Sequence, residues 1–353
     1  MVRYFKINDP YRLLALFLFI VATRTLILLI GFPFNGLHSS YFSGNNGQHL
    51  GSLFLWMTEL IAFIFRDPLI PSFVLSGFLV FIQAFSLNSI LIRNKALSQN
   101  TYLPAACYIL ILSASPEFMV LSPAMFAVTF ILIGINYMLF HLQYRGTEEN
   151  ILSTGVVFGL ASLFDPSSTI FILLIFIIYL FYSNTLNRRY LLLVFGLIFP
   201  YLLVWIYYFW QDVGQEFWLQ TSQNIFSASS TFLIPLNQLA ILIALPLLIS
   251  FISAIQTITG VGLTVHQIVT QKTLLLLGVF SIGSVFLNEQ ISANSLIYLT
   301  PTLAFFIAQF LLTRERKWLS EVVFVLLIIW SLVFLILPIL TPSLLPVNYE
   351  LLR

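Results

Sequence analysis

Long apolar runs, each closed by a short polar cluster, follow one another from end to end of the chain. About 20 apolar residues in a row carry a helix across the hydrocarbon core of a bilayer. By that measure the pattern predicts spans over 11–33, 70–92, 102–113, 118–140, 151–164, 167–182, 190–210, 236–255, 273–287, 296–312 and 322–339. A further apolar run, 50–65, competes for a twelfth crossing. The expected fold class is all-α: a polytopic membrane helix bundle of about 11 transmembrane helices, forming one integral domain over 1–353.

Basic residues decide between eleven spans and twelve. If 50–65 stays on one face, Arg3, Lys6, Arg12, Arg93, Lys95, Arg145, Arg188, Arg189, Lys272, Arg314, Arg316 and Lys317 share the cytoplasmic side. Only Arg66 and Arg353 then face outward. If 50–65 crosses, everything after it inverts. The positive-inside bias therefore predicts eleven spans, the N-terminus inside and the C-terminus outside. The loop 34–69 lies outside with an interfacial helix over 48–65, and 341–353 forms an outer tail. The first apolar run is long, holds Arg24 and lacks a small-residue cleavage site, so it reads as a retained helix.

Composition agrees: 59% of residues are hydrophobic and 8% charged, and the net charge of +2 is too small to argue for nucleic acid. The single cysteine, Cys107, excludes an internal disulfide.

Several spans are short. At 1.5 Å per residue, 102–113 covers roughly 18 Å of a core about 30 Å thick, and 151–164 and 273–287 are short too. Their outer ends run into polar clusters at 113–117, 165–168 and 288–290. Irregular backbone at membrane depth persists only where protein covers it or water lines it. Two readings follow: an outward-facing cavity walled by short helices, or a crowded bundle with loops packed on one another.

The residues able to carry chemistry are few. Arg24 lies within the first span, where a cation needs water, a carboxylate or backbone oxygens. It is a candidate contact for a lipid phosphate, or one half of a structural pair with Glu117 or Asp165. Those two acids are also candidate metal ligands in a hydrated cleft. The competing role for Asp165, and for Asp67, is helix capping, since each precedes a proline. His49, Ser52, Trp56 and Glu59 follow helical spacing and form one stripe on the outer segment. His49 and Glu59 are the candidate catalytic acid/base pair, and an interfacial helix that simply needs a polar face is the alternative. Gly155 and Gly159 form a GxxxG pattern, which favours close helix packing. No P-loop, dinucleotide fingerprint or HExxH motif is present.

The order of elements (a short tail, one span, an outer loop with a surface helix, then helices joined by short turns) resembles the membrane fold of GT-C glycosyltransferases. The stretches 155–189, with Ala-Ser-Leu-Phe-Asp-Pro followed by Arg188-Arg189, and 299–310, with Leu-Thr-Pro-Thr-Leu-Ala, resemble that family's membrane core. Phe-Lys-Ile-Asn-Asp-Pro-Tyr-Arg-Leu (5–13), 121–126 and 159–164 resemble an uncharacterised inner-membrane family of Bacteroidetes-type bacteria. That resemblance implies a Gram-negative inner membrane, with periplasm outside. The GT-C resemblance implies an Asp or Glu in the first outer loop as base or metal ligand, yet 34–48 holds none. Glu59 is the nearest substitute.

Three functions compete. The first is a non-catalytic subunit on a GT-C-like scaffold, working with partner subunits in a cell-envelope complex and needing no cofactor. The second is a glycosyltransferase moving sugar from a polyprenyl-phosphate lipid, with a divalent metal as its only implied cofactor. The third is a lipid or solute transporter; neither internal repeats nor a convincing midplane polar site supports it.

Overall fold

The computed structural model describes residues 2–6, 9, 11–30, 50–65, 68–144, 147–182, 187–226, 231–232, 236–259, 264–287, 290–314 and 317–340. These form an α-helical bundle. A short α1 (Val2–Lys6) leads into α2 (Tyr11–Ile30), α3 (Ser52–Ile64), α4 (Leu69–Arg93) and α5 (Leu103–Leu112). After a 3₁₀ turn at Pro116–Met119 come α6 (Pro123–Tyr144) and α7 (Glu148–Phe164). A second 3₁₀ turn, Pro166–Thr169, precedes α8 (Ile170–Tyr182), α9 (Asn187–Trp210), α10 (Gly214–Phe226), α11 (Leu236–Thr259) and α12 (Val265–Leu287). A third, Ala293–Leu299, leads into α13 (Thr300–Thr313) and α14 (Lys317–Leu340). The only extended pairing among the described residues is a two-residue parallel bridge, β1 (Thr231–Phe232) with β2 (Gln290–Ile291).

Eight helical segments among the described residues are long and apolar enough to cross a membrane, while 52–64, 103–112 and 166–182 are apolar but shorter. The protein is a multi-pass membrane protein. The segment 293–313 is central: 83% of it is buried, against 28% of 189–210.

Helix α5 can be short because it needs no lipid contact. Every residue from Leu103 to Leu112 is buried, and Pro104 at its start and Pro116 beyond its end bound it. The 273–287 expectation is corrected: α12 begins at Val265 and runs for 23 residues. Its polar first turns stay helical because neighbours bond them. Gln143 Nε2 donates to Thr270 Oγ1 at 2.9 Å, and Gln271 Nε2 to Ala96 O at 3.1 Å. Two predicted spans, 118–140 and 296–312, break at their N-terminal ends into 3₁₀ turns.

The GxxxG reading holds. A Cβ on Gly155 would stand 2.5 Å from Leu193 O, and one on Gly159 2.6 Å from Leu197 O. Gly196 on α9 answers from the other side, 2.5 Å from Leu152 O. Helices α7 and α9 thus touch backbone to backbone, the arrangement that small residues permit in a membrane.

Candidate functional site

The three 3₁₀ turns gather at one end of the bundle and are held by the residues singled out in the sequence. Arg24 on α2 is 8% exposed. Its Nη1 donates to Phe73 O (2.5 Å), Ser76 Oγ (2.8 Å) and Met119 O (3.0 Å), and its guanidinium carbon lies 4.8 Å over the Phe73 ring. Ser76 in turn donates to Met119 O at 2.5 Å. One cation therefore ties α2 to α4 and to the first 3₁₀ turn. Gly77 makes this possible, since a Cβ there would meet Arg24 Nε at 2.8 Å. The pairing of Arg24 with Glu117 or Asp165 is corrected: its described partners are a hydroxyl and two carbonyls. Carbonyl oxygens satisfy a guanidinium without a second desolvated charge, which removes the need for a carboxylate. Ile27, Phe73, Met119, Val120 and Leu335 pack as an apolar cluster one turn further along α2.

Glu117 is 3% exposed and accepts from Ala293 N at 3.2 Å through Oε2, capping the third 3₁₀ turn. Burial pushes its carboxyl up to about 7, and the bond from Ala293 works against that rise. Asp165 takes the capping role that the following proline suggested. Its Oδ1 accepts from Ser167 N at 3.1 Å and Ser167 Oγ at 2.9 Å. Its other oxygen accepts from Tyr298 Oη at 2.7 Å, which the sequence did not disclose. Burial raises the Asp165 carboxyl, opposed by the bonds from Tyr298 and Ser167. Ser281 Oγ donates to Tyr298 O at 2.8 Å from α12. The third turn is thus gripped at Ala293 and again at Tyr298.

Glu117 and Asp165, the candidate metal ligands, each serve a 3₁₀ turn in this arrangement. The two carboxylates reach opposite ends of one turn, and Asp165 has both oxygens engaged. Among the described residues no three His, Cys, Asp or Glu side chains come together.

Helix α3 starts where Gly51 lies against the end of α7; a Cβ there would stand 2.2 Å from Leu163 O. It buries Phe54, Thr58 and Ile61, and Phe54 meets the Phe126 ring at 6.1 Å. Of the expected stripe, Glu59 is exposed, Trp56 is half-buried, and the Ser52 hydroxyl is buried. His49 and Asp67 lie outside the described residues, so the Glu59–His49 pair does as well. Trp56 stands edge-on to Tyr207 at 4.5 Å and stacks near Tyr208 at 5.8 Å. Tyr208 stacks on Phe217 of α10 at 5.2 Å. Sequence reading missed α10, whose polar character hid it among loops.

A polar knot deeper in the bundle also escaped notice. Gln83, fully buried, donates to Met125 O (2.6 Å) and Thr129 Oγ1 (2.8 Å) and accepts from Tyr108 Oη (2.8 Å). A glutamine in mid-span was the signal for it. No protein-family model, no curated protein and no solved structure matches the chain.

Proposed function

We propose that the protein is a non-catalytic integral membrane subunit on a GT-C-like scaffold, contributing to a cell-envelope complex. One observation carries the reading: Arg24, Glu117 and Asp165, the buried charges most suited to chemistry, are all engaged in clamping the 3₁₀ turns. A group whose oxygens or N–H donors already serve the backbone is poorly placed to bind a lipid phosphate or a metal. The rigid, gripped end of the bundle suits a docking platform for partner subunits. The charge bias supports eleven crossings in an inner membrane, with this end periplasmic and the N-terminus cytoplasmic.

A second reading rests on Glu59. It is exposed beside Trp56, and Trp56, Tyr207 and Tyr208 form an aromatic group on which a sugar ring can stack. In that reading a polyprenyl-phosphate sugar is the donor and Glu59 the base.

Complementation separates the two. Glu59→Gln, His49→Gln and the double variant keep full function if the protein is a scaffold. Loss of function in Glu59→Gln at normal membrane levels, by the factor of about 10²–10⁴ that removal of a general base costs, overturns the scaffold reading.

A further inference from the structure

At the end of the bundle remote from the 3₁₀ turns, Arg12 is a buried cation with no counterion among the described residues. It is 7% exposed, and both Nε and Nη1 are buried with no hydrogen-bond partner. Its guanidinium carbon lies 4.8 Å over the Tyr4 ring, which is half exposed. Two carboxylates lie in the same region: Asp9 Oδ1 accepts from Tyr11 N at 3.2 Å, and Glu321 Oε2 accepts from Val2 N at 3.1 Å. Neither is ion-paired with Arg12. Two buried guanidinium N–H groups without acceptors are costly, so this position favours an anion's oxygens.

We infer that Arg12 is the phosphate-binding residue of an anionic phospholipid site at this end of the bundle. Three features fit that ligand. Arg12 lies in the first turn of a 20-residue helix, where the helix dipole also favours negative charge. It stands about 18 Å along α2 from Arg24, the offset that places it toward the headgroup level of the bilayer. Tyr11, Leu14 and Leu18 on the same helix are 78%, 59% and 55% exposed, an apolar strip against which acyl chains can lie, on a different face of α2 from the buried Arg12. The planar fork of N–H donors matches phosphate oxygens bidentately, which a hydrated ammonium does not.

The test is native mass spectrometry of the full-length protein released from detergent with phosphatidylglycerol and phosphatidylcholine in equal amounts. Wild type is expected to retain phosphatidylglycerol about tenfold over phosphatidylcholine, because both offer the same phosphate oxygens but the choline ammonium cancels the charge that Arg12 would meet. Arg12→Gln abolishes the preference, whereas Arg93→Gln, an exposed cation at the α4 terminus, keeps it. If Arg12→Gln does not fold, Arg12→Lys carries the test, since it keeps the charge but not the fork and its preference falls below wild type. Equal retention by wild type, an undiminished preference in the Arg12 variants, or its loss in Arg93→Gln overturns the site. Inorganic phosphate that removes the preference and raises the melting temperature without lipid assigns the site to free phosphate and overturns the phospholipid.

Discussion

Arg24 donates through one nitrogen to three acceptors on two other elements, so truncating it orphans several groups at once. Arg24→Leu is expected to destabilise the bundle by about 3 kcal/mol, less than three charge-assisted bonds would sum to because bonds in membranes are individually weaker. A fluorescence-detected melting temperature in detergent reads this, and unchanged melting contradicts the clamp. Glu117 makes a prediction with a sign. Its folded-state carboxyl sits near 7, above its ordinary 4.5, so the folded chain holds the proton more tightly. Its contribution to stability is therefore fully present below about 4.5, declines as pH rises through 7, and is flat above. The melting temperature should fall across that window in wild type, and the part due to Glu117 should vanish in Glu117→Gln. That Arg24 would be held inside the protein was legible from its place in an apolar run. Its acceptors were not, because two are carbonyls, and every residue has one.

At the scale of elements, the α7–α9 contact depends on three glycines facing backbone. Gly155→Ala or Gly196→Ala forces a methyl group to within 2.5 Å of a carbonyl oxygen, at about 1–3 kcal/mol each. The Cβ of either would also approach the other's Cα, at 3.0 and 3.2 Å, so the double variant should depart from additivity. Melting of the two singles and the double checks this, and strict additivity argues that the helices do not meet there. Gly155-x-x-x-Gly159 announced a close contact without saying which helix answers it. Gly196 lies 41 positions after Gly155, and only the folded chain brings them together. The polar opening of α12 was read as loop because hydropathy alone cannot see that Gln143 and Ala96 supply its bonding partners.

For the whole molecule, the distribution of charge makes a topological prediction that stability data cannot test. Ser98 and Gln223 are both exposed, and Cys107, the only native cysteine, is buried. In intact cells Ser98→Cys should react only with membrane-permeant thiol reagents, and Gln223→Cys with impermeant ones as well. The reverse labelling places 50–65 across the membrane and inverts every later segment.

The sequence by itself determined the membrane class, the all-helical architecture and most helix limits among the described residues, because burial in lipid is a property of each segment's own apolar length. It also offered Asp165 as a cap for the turn after α7, since Asp-Pro acts on neighbours in the chain, beside a metal-ligand role that it left open. Only the tertiary structure shows which groups the buried charges bond. Whether Arg24, Glu117 and Asp165 meet a ligand, a metal or each other depends on contacts across many helices. In the fold they meet Ser76, Ala293 and Tyr298, up to 176 residues away. A low-dielectric interior makes such partners obligatory, but local sequence does not say which residues supply them.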